Sequence, residues 1–441
     1  MNFIGYTIMR STIASLVLTL TATITSAQSI QIPGEPQSRP IAIVNATVHP
    51  VSSEKMDRGY VVFDRGLITQ VGAGEFAGNN VNFEIVDAKG QHVYPGLIAA
   101  DTTIGLSEIG AVRATNDTSE VGQMTPEVRA AVAVNPDTAL IPVARANGIL
   151  TMMVVPQGGV VSGYCSIMRL DGWTTEELTI NDRAGLVIRW PNVRPRTAWW
   201  VQENEEEQLK QARERLDRID NLFRDAAAYL QARKADPELP VDLRLDSMGP
   251  ALSGFAPVYI HANDAAQIES AVAWAIRLNL QAIIVGGHEA DQCTELLKAH
   301  DIPVIMIGTH RMPSRRDAAY DEPFTLPRRL RDAGVRFCIA SGEEPAHERN
   351  LPYHAAKAAA YGLPADEALR SITLSAAEIL GVGKTLGSLE VGKVATLMIT
   401  TGDPLEITSE VLAAWIDGSK VDLDNKQKAL DRKYRHRYGQ P

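Results

Sequence analysis

Cysteine is scarce in this chain, with three in 441 residues and none before Cys165. Three thiols are too few for a disulfide framework. The apolar flanks of Cys165, Cys293 and Cys338 make small core hydrophobes the expectation. A basic excess is also missing. Lys and Arg number 43 against 53 Asp and Glu, a net charge of −10. Without a basic face, no nucleic-acid partner is expected. No apolar run spans a bilayer comfortably, so no stable membrane anchor is expected. The glycine-rich stretch Gln157-Gly158-Gly159 lacks the spacing of a phosphate loop. There is no nucleophile elbow and no HExxH helix. Histidine is absent between His92 and His261, which removes the commonest metal ligand from a long central stretch.

What is present is ordinary for a globular protein. Apolar residues make up 45% and charged residues 22%, enough for one large core and a smaller domain. Residues 1–27 read as a secretory signal. Arg10 supplies the positive flank, residues 13–24 a short apolar run, and Thr25-Ser26-Ala27 the small residues before cleavage. Met9 offers an alternative start. The protein is therefore expected to be exported, secreted or periplasmic. Residues 28–40, rich in Pro, Ser and Gln, read as a linker.

Residues 41–93 carry short strands at 41–48, 59–64, 67–71 and 83–87, with Asp64-Arg65-Gly66 as a tight hairpin turn. A sheet this small needs a partner, and residues 387–423 supply strands at 395–400 and 411–416 with a turn at Asp417-Gly418. Between them, residues 94–386 alternate apolar strands with amphipathic helices, the pattern of a parallel (β/α)8 barrel. Seven strands are clear, at 94–100, 149–155, 184–190, 258–261, 282–287, 304–308 and 335–341. The eighth is sought within 164–170. Residues 203–234 form a long amphipathic helical insertion, with Leu209, Ala212, Leu216, Ile219, Phe223, Ala226 and Leu230 recurring every three or four residues. It is either a dimer seam or a helix packed on the barrel. The charged residues 424–441 read as a helix-prone surface tail.

Two motifs carry a resemblance. Val93-Tyr94-Pro95-Gly96-Leu97-Ile98-Ala99-Ala100-Asp101-Thr102-Thr103 resembles the first barrel strand of the amidohydrolase superfamily, and Gly387-Ser388-Leu389-Glu390-Val391-Gly392-Lys393 resembles its C-terminal motif. The nearest likeness is to the imidazolonepropionase/prolidase-like branch of these metal-dependent hydrolases. The resemblance implies a TIM-like barrel with a small β-sandwich built from both chain ends. It also implies hydrolysis of a C–N bond in a small-molecule substrate, such as a cyclic amide, an amino-acid amide or a dipeptide-like compound. A divalent metal, zinc by preference, would hold the water in such an enzyme. His261-Ala262 and Gly287-His288 match the family's fifth- and sixth-strand ligands. Asp101 and Thr103 stand where the first strand's two histidines would be. Asp101 is either a replacement ligand or a capping aspartate. Gly342 takes the place of the last-strand aspartate, so Glu343 or Glu344 would have to move the proton; otherwise both are solvated loop carboxylates.

His310 sits after the seventh strand on the same rim, and Arg311 beside it pairs well with a substrate carboxylate. Arg189 ends the fourth-strand segment and cannot ligate a metal; with Gln157 it is a candidate substrate contact. Three readings stay open. The first is an exported hydrolase with one metal on His261 and His288, helped by Asp101 or His310. The second is a non-catalytic barrel that binds a ligand or partners an active relative. The third is metal-free acid–base catalysis. A homo- or hetero-oligomer is expected.

Overall fold

The computed structural model describes residues 31–78, 81–195 and 201–440, so the segment read as a secretory signal lies outside it. Two sheets organise the chain. The first joins both chain ends in the order Ser419–Val421, Val411–Ile416, Leu397–Thr400, His92–Pro95, Ile41–Val48, Met56–Asp64, Leu67–Ala73, with Glu84–Asp87 also paired to Ile41–Val48. The join is antiparallel, with Tyr94 opposite Met398. The turn at Asp64-Arg65-Gly66 forms as expected, with Arg65 and Gly66 at φ 49° and 78°, the left-handed pair that a two-residue hairpin wants. The expected sandwich proves to be one continuous sheet rolled over its own core. Phe63 and Trp415 lie four strand steps apart, roughly 19 Å in a flat sheet, yet their ring centroids are 5.9 Å apart.

The second sheet is the barrel. Its strands are β1 (Leu97–Thr102), β2 (Ile149–Val154), β3 (Val161–Arg169), β4 (Thr179–Arg189), β5 (Val258–Ala262), β6 (Ala282–Gly286), β7 (Val304–Ile307) and β8 (Phe337–Ala340). They follow one another in chain order and nearly close, with β8 beside β1. The eighth strand sought within 164–170 is β3. It runs antiparallel to both β2 and β4, against the all-parallel expectation. The connections at 155–160 and 170–178 are too short for a helical crossover, so they turn as hairpins.

Strand alternation sorts the side chains. Ile98, Met153, Cys165, Val187, Tyr259, Val285, Ile305 and Cys338 fill the lumen, while Leu97, Met152, Tyr164, Ile188 and Ile260 face the surrounding helices. All three cysteines are buried and free, as expected of core hydrophobes. Among the described residues, no helix is long and apolar enough to cross a membrane.

The insertion forms a single helix, Glu205–Ala235. Asn204 caps it by accepting from the Glu207 amide at 2.8 Å, three glutamates open it and Arg233 and Lys234 close it, all matching its dipole. Ala212 is buried, Ile219, Phe223 and Ala226 join the barrel's outer core, and Phe223 meets Trp274 edge-on at 4.9 Å. Packing on the barrel is therefore what uses its apolar face. Residues 31–40, expected as a linker, are partly docked. The Gly34 amide donates to Asp171 at 2.8 Å, and Asp171 forms a buried pair with Arg145. The tail carries an exposed helix, Lys426–Tyr438.

Candidate active site at the barrel mouth

Three lumen-facing side chains meet at the C-terminal strand ends. Val187 and Tyr259 point into the lumen, so Arg189 and His261, two residues further on, do too. The two are in register across β4 and β5. On β1 the pairing with β2 shifts between Ala99 and Thr102. There Asp101 turns inward, where its charge reaches the lumen thiols of Cys165 and Cys338.

Arg189 dominates the electrostatics. Burial pushes the Asp101 carboxyl up to about 6, and the Arg189 guanidinium pulls the other way. Burial takes the His261 imidazole down to about 3, and Arg189 adds to the fall. Arg189 itself is lowered by burial and drawn back by Asp101. It donates to the Pro156 carbonyl at 3.3 Å.

A fourth group was not foreseen from sequence. Glu348 is fully buried on the 3-10 turn Pro345–Asn350. Burial pushes its carboxyl up to about 8; the hydroxyls of Thr102 and Ser341 lower it, while Asp101 and Glu343 raise it. Neither oxygen makes a hydrogen bond of good geometry, so those hydroxyls act as nearby dipoles only. Asp101 Oδ2 and His261 Nε2 are likewise sealed from solvent without a partner. Each such orphan costs about 1–3 kcal/mol, although Asp101 and His261 as residues are only half-buried.

The remaining expected site residues are dispersed. His288 lies beside Arg311 and Glu322; burial, then Arg311, takes its imidazole down to about 4. Arg311 is not free for a substrate, because it grips Glu322 with two parallel bonds of 2.7 and 3.1 Å. Gln157 is exposed on the rim. Glu344 is exposed, and its side chain makes no hydrogen bond or ion pair among those described. Thr103 is buried.

Glu343 and His310 do come together, joined by His354 from the helix Leu351–Ala360. Their ligand atoms lie within 4.8 Å of one another, the one His/Glu/His group of that kind among the described residues. His354 Nε2 is 3.0 Å from Glu343 Oε1, His310 Nδ1 is 3.8 Å from it, and Asn350 donates to Oε2 at 2.8 Å. Burial alone would raise the Glu343 carboxyl, but the bonds from Asn350 and His354 hold it below its usual range. His354 has a fixed tautomer. Its Nδ1 accepts the Thr309 amide at 3.1 Å, so in the neutral ring Nε2 carries the proton and donates to Glu343. A nitrogen that carries a proton has no lone pair for a metal. In that tautomer the trio offers two usable ligands, and a third from His354 Nε2 would require the Thr309 amide bond to Nδ1 to break.

The mouth fits a metal no better. Asp101, His261 and His288 form no group with mutually close ligand atoms among the described residues. A guanidinium stands next to two of them, so a dication there would meet direct repulsion. Gly342, at the last-strand acid position, is left-handed at φ +65°, and a Cβ on it would lie 2.1 Å from Ile307 Cγ2. The ligands that the resemblance implied, Asp101, His261 and His288, do not converge on one metal; His310, Glu343 and His354 are the set whose ligand atoms do among the described residues.

The architecture, a nearly closed eight-strand barrel carrying a strand-rich domain from both chain ends, is that of the amidohydrolase class. The model of the Amidohydrolase family matches residues 270–423. The amidohydrolase tasK of Hapsidospora irregularis is 24% identical over 392 residues, 82% of this chain and 39% of its own. Imidazolonepropionase of Pseudomonas fluorescens is 39% identical over 102 residues, 22% of this chain and 23% of its own. The chain thus spans about two fifths of the first relative's length and a quarter of the second's. The crystal structure of an amidohydrolase from Thermotoga maritima superposes with a TM-score of 0.75 at 25% identity, covering 87% of this chain and 99% of that one. Together these matches support a member of the amidohydrolase superfamily, a family of hydrolases acting on C–N bonds that commonly bind divalent metals.

Proposed function

We propose that this protein is a member of the superfamily that binds a small ligand at its barrel rim and has given up metal-dependent hydrolysis at the family position. One observation carries the reading: Arg189 is the strand neighbour of His261 at the barrel's C-terminal end, and its charge acts on both His261 and Asp101, where a metal would need the space and the charge. The cation is now covalent, part of the chain. Asp101 Oδ2 and His261 Nε2 are closed to solvent, so the two atoms that would meet a metal or a scissile carbonyl are turned away from the open rim. The N-terminal segment supports export, and a ligand-binding barrel in the periplasm is consistent with it.

A second reading has its own support. Glu343 is a partly exposed carboxylate aligned by Asn350 and His354, with His310 beside it. This is the arrangement of a general base for attack of water on a small amide without a metal.

The deciding experiment measures metal by plasma mass spectrometry on the mature protein after zinc loading and dialysis, beside a panel of cyclic amides, amino-acid amides and dipeptides. No retained zinc and no turnover is the expected result. Stoichiometric zinc lost in His261→Ala would overturn the first reading. Zinc-free turnover abolished in Glu343→Gln would replace it with the second.

A further inference from the structure

Beside the mouth lies an open cavity of about 620 Å³, between the end of β4 and the first turns of the long helix. That volume is in the range of small-ligand sites. Its walls are unequal in charge. Arg189 enters from the barrel and Arg215 from the helix, opposed among the described residues only by Glu203. Neither guanidinium makes an ion pair among those described. Arg189 makes a single hydrogen bond, to a carbonyl, and Arg215 makes no ion pair among the described residues. The side-chain amides of Gln123 and Gln211 also line the space without hydrogen bonds of their own among those described. Trp190 forms a rigid wall. Its ring packs on Trp274 at 5.2 Å, and Gln267 donates to its carbonyl at 3.1 Å.

We propose that this cavity binds a small organic anion with two carboxylates, one held by Arg189 and the other by Arg215, with the amides of Gln123 and Gln211 between them. Guanidinium pairs with carboxylate through parallel charge-assisted bonds, and two guanidinia from two walls select a dianion over a monoanion. The inference deepens the ligand-binding reading and rests on it. It gives Arg189 two faces, one turned to Asp101 in the lumen and one to the ligand.

The test is isothermal titration calorimetry of the full mature protein with glutarate, the glutarate monoamide and neutral glutaramide. Binding should fall in that order, by about tenfold or more per carboxylate removed, and should weaken with salt. Arg215→Gln should reduce glutarate binding by a similar factor and abolish the preference over the monoamide. Because Arg215 is exposed on the helix surface, its thermal midpoint should match the parent's. Gln211→Trp, which puts bulk into the cavity, should block binding with the fold intact. No glutarate binding, or binding indifferent to both substitutions, overturns this inference and leaves the ligand-binding reading standing. Retained zinc or amide turnover sinks the reading itself, so the two failures are distinguishable.

Discussion

Replacing Gly342 by aspartate would restore the acid that family members carry on the last strand, and the backbone here resists it. The residue sits at φ +65°, and an added Cβ would lie 2.1 Å from Ile307 Cγ2. The left-handed conformation costs an L-residue about 1–2 kcal/mol, with aspartate toward the lower end because its short polar side chain tolerates it. Ile307 is branched at Cβ, so Cγ2 moves only by rotating χ1 out of its well, at about 0.5–1.5 kcal/mol. Together the loss is about 2–3 kcal/mol. Urea denaturation followed by circular dichroism would show it as a lower midpoint at unchanged slope. Gly342→Ala should lose nearly as much, since it adds the same Cβ without the charge. Neither variant should take up zinc. An aspartate variant as stable as the parent, or one that retains a full equivalent of zinc, would refute the argument that this backbone has closed the family site.

Three further outcomes follow from named residues. Glu348 has its folded value raised from 4.5 to about 8 and Asp101 from 3.8 to about 6. The native state therefore holds protons that the unfolded chain has released. The stability these groups contribute is complete at low pH and is lost as pH rises through the folded values. Glu348→Gln should flatten the decline in urea midpoint between about pH 5 and 8, an effect on the order of a few kcal/mol; an unchanged slope would count against the buried acid. Arg145 and Asp171 pair with almost no exposure, and burial works against both charges. Arg145→Met alone should cost about 3–5 kcal/mol, and adding Asp171→Leu should recover much of it, as a double-mutant cycle would read. Phe223→Ala should cost about 3–5 kcal/mol if the long helix is integral to the core; a loss below about 1 kcal/mol would mean that it rests loosely on the barrel.

The fold was legible because its signals are periodic. Apolar runs ending in small or polar residues located seven strands, and Asp64-Arg65-Gly66 fixed a hairpin through its turn chemistry alone. The orientation of β3 was not legible from its residues. A buried strand reads the same in either direction, and only the shortness of 155–160 and 170–178 decides it. At the site, position on a strand end placed Arg189 and His261 correctly, but sequence gave Arg189 only a substrate role. Its central place comes from register with His261, which no spacing reveals. Glu348 carried no signal at all. A glutamate in an acid-rich loop looks solvated until the fold buries it. His354 was hidden for a similar reason, since a histidine within an alanine-rich helix announces neither its tautomer nor its partner.

The hairpins on either side of β3 have a cost elsewhere in the molecule. A barrel of strict strand–helix alternation carries its own sheath, one helix per strand. Turning two crossovers into hairpins strips two helices from that sheath and leaves the outward side chains of β3 and β4, among them Tyr164, Met168 and Ile188, in need of cover. The helix Glu205–Ala235 joins that same buried cluster through Ile219, Phe223 and Ala226. Its N-terminal third also walls the cavity beside Arg189. The helix reaches that cluster against the short helices Leu243–Ser247 and Gly249–Leu252, so its buried face and its ligand wall are one continuous piece of chain. They should open as one unit, and a ligand bridging Arg189 and Arg215 would slow amide exchange along the whole helix, far beyond the residues it touches.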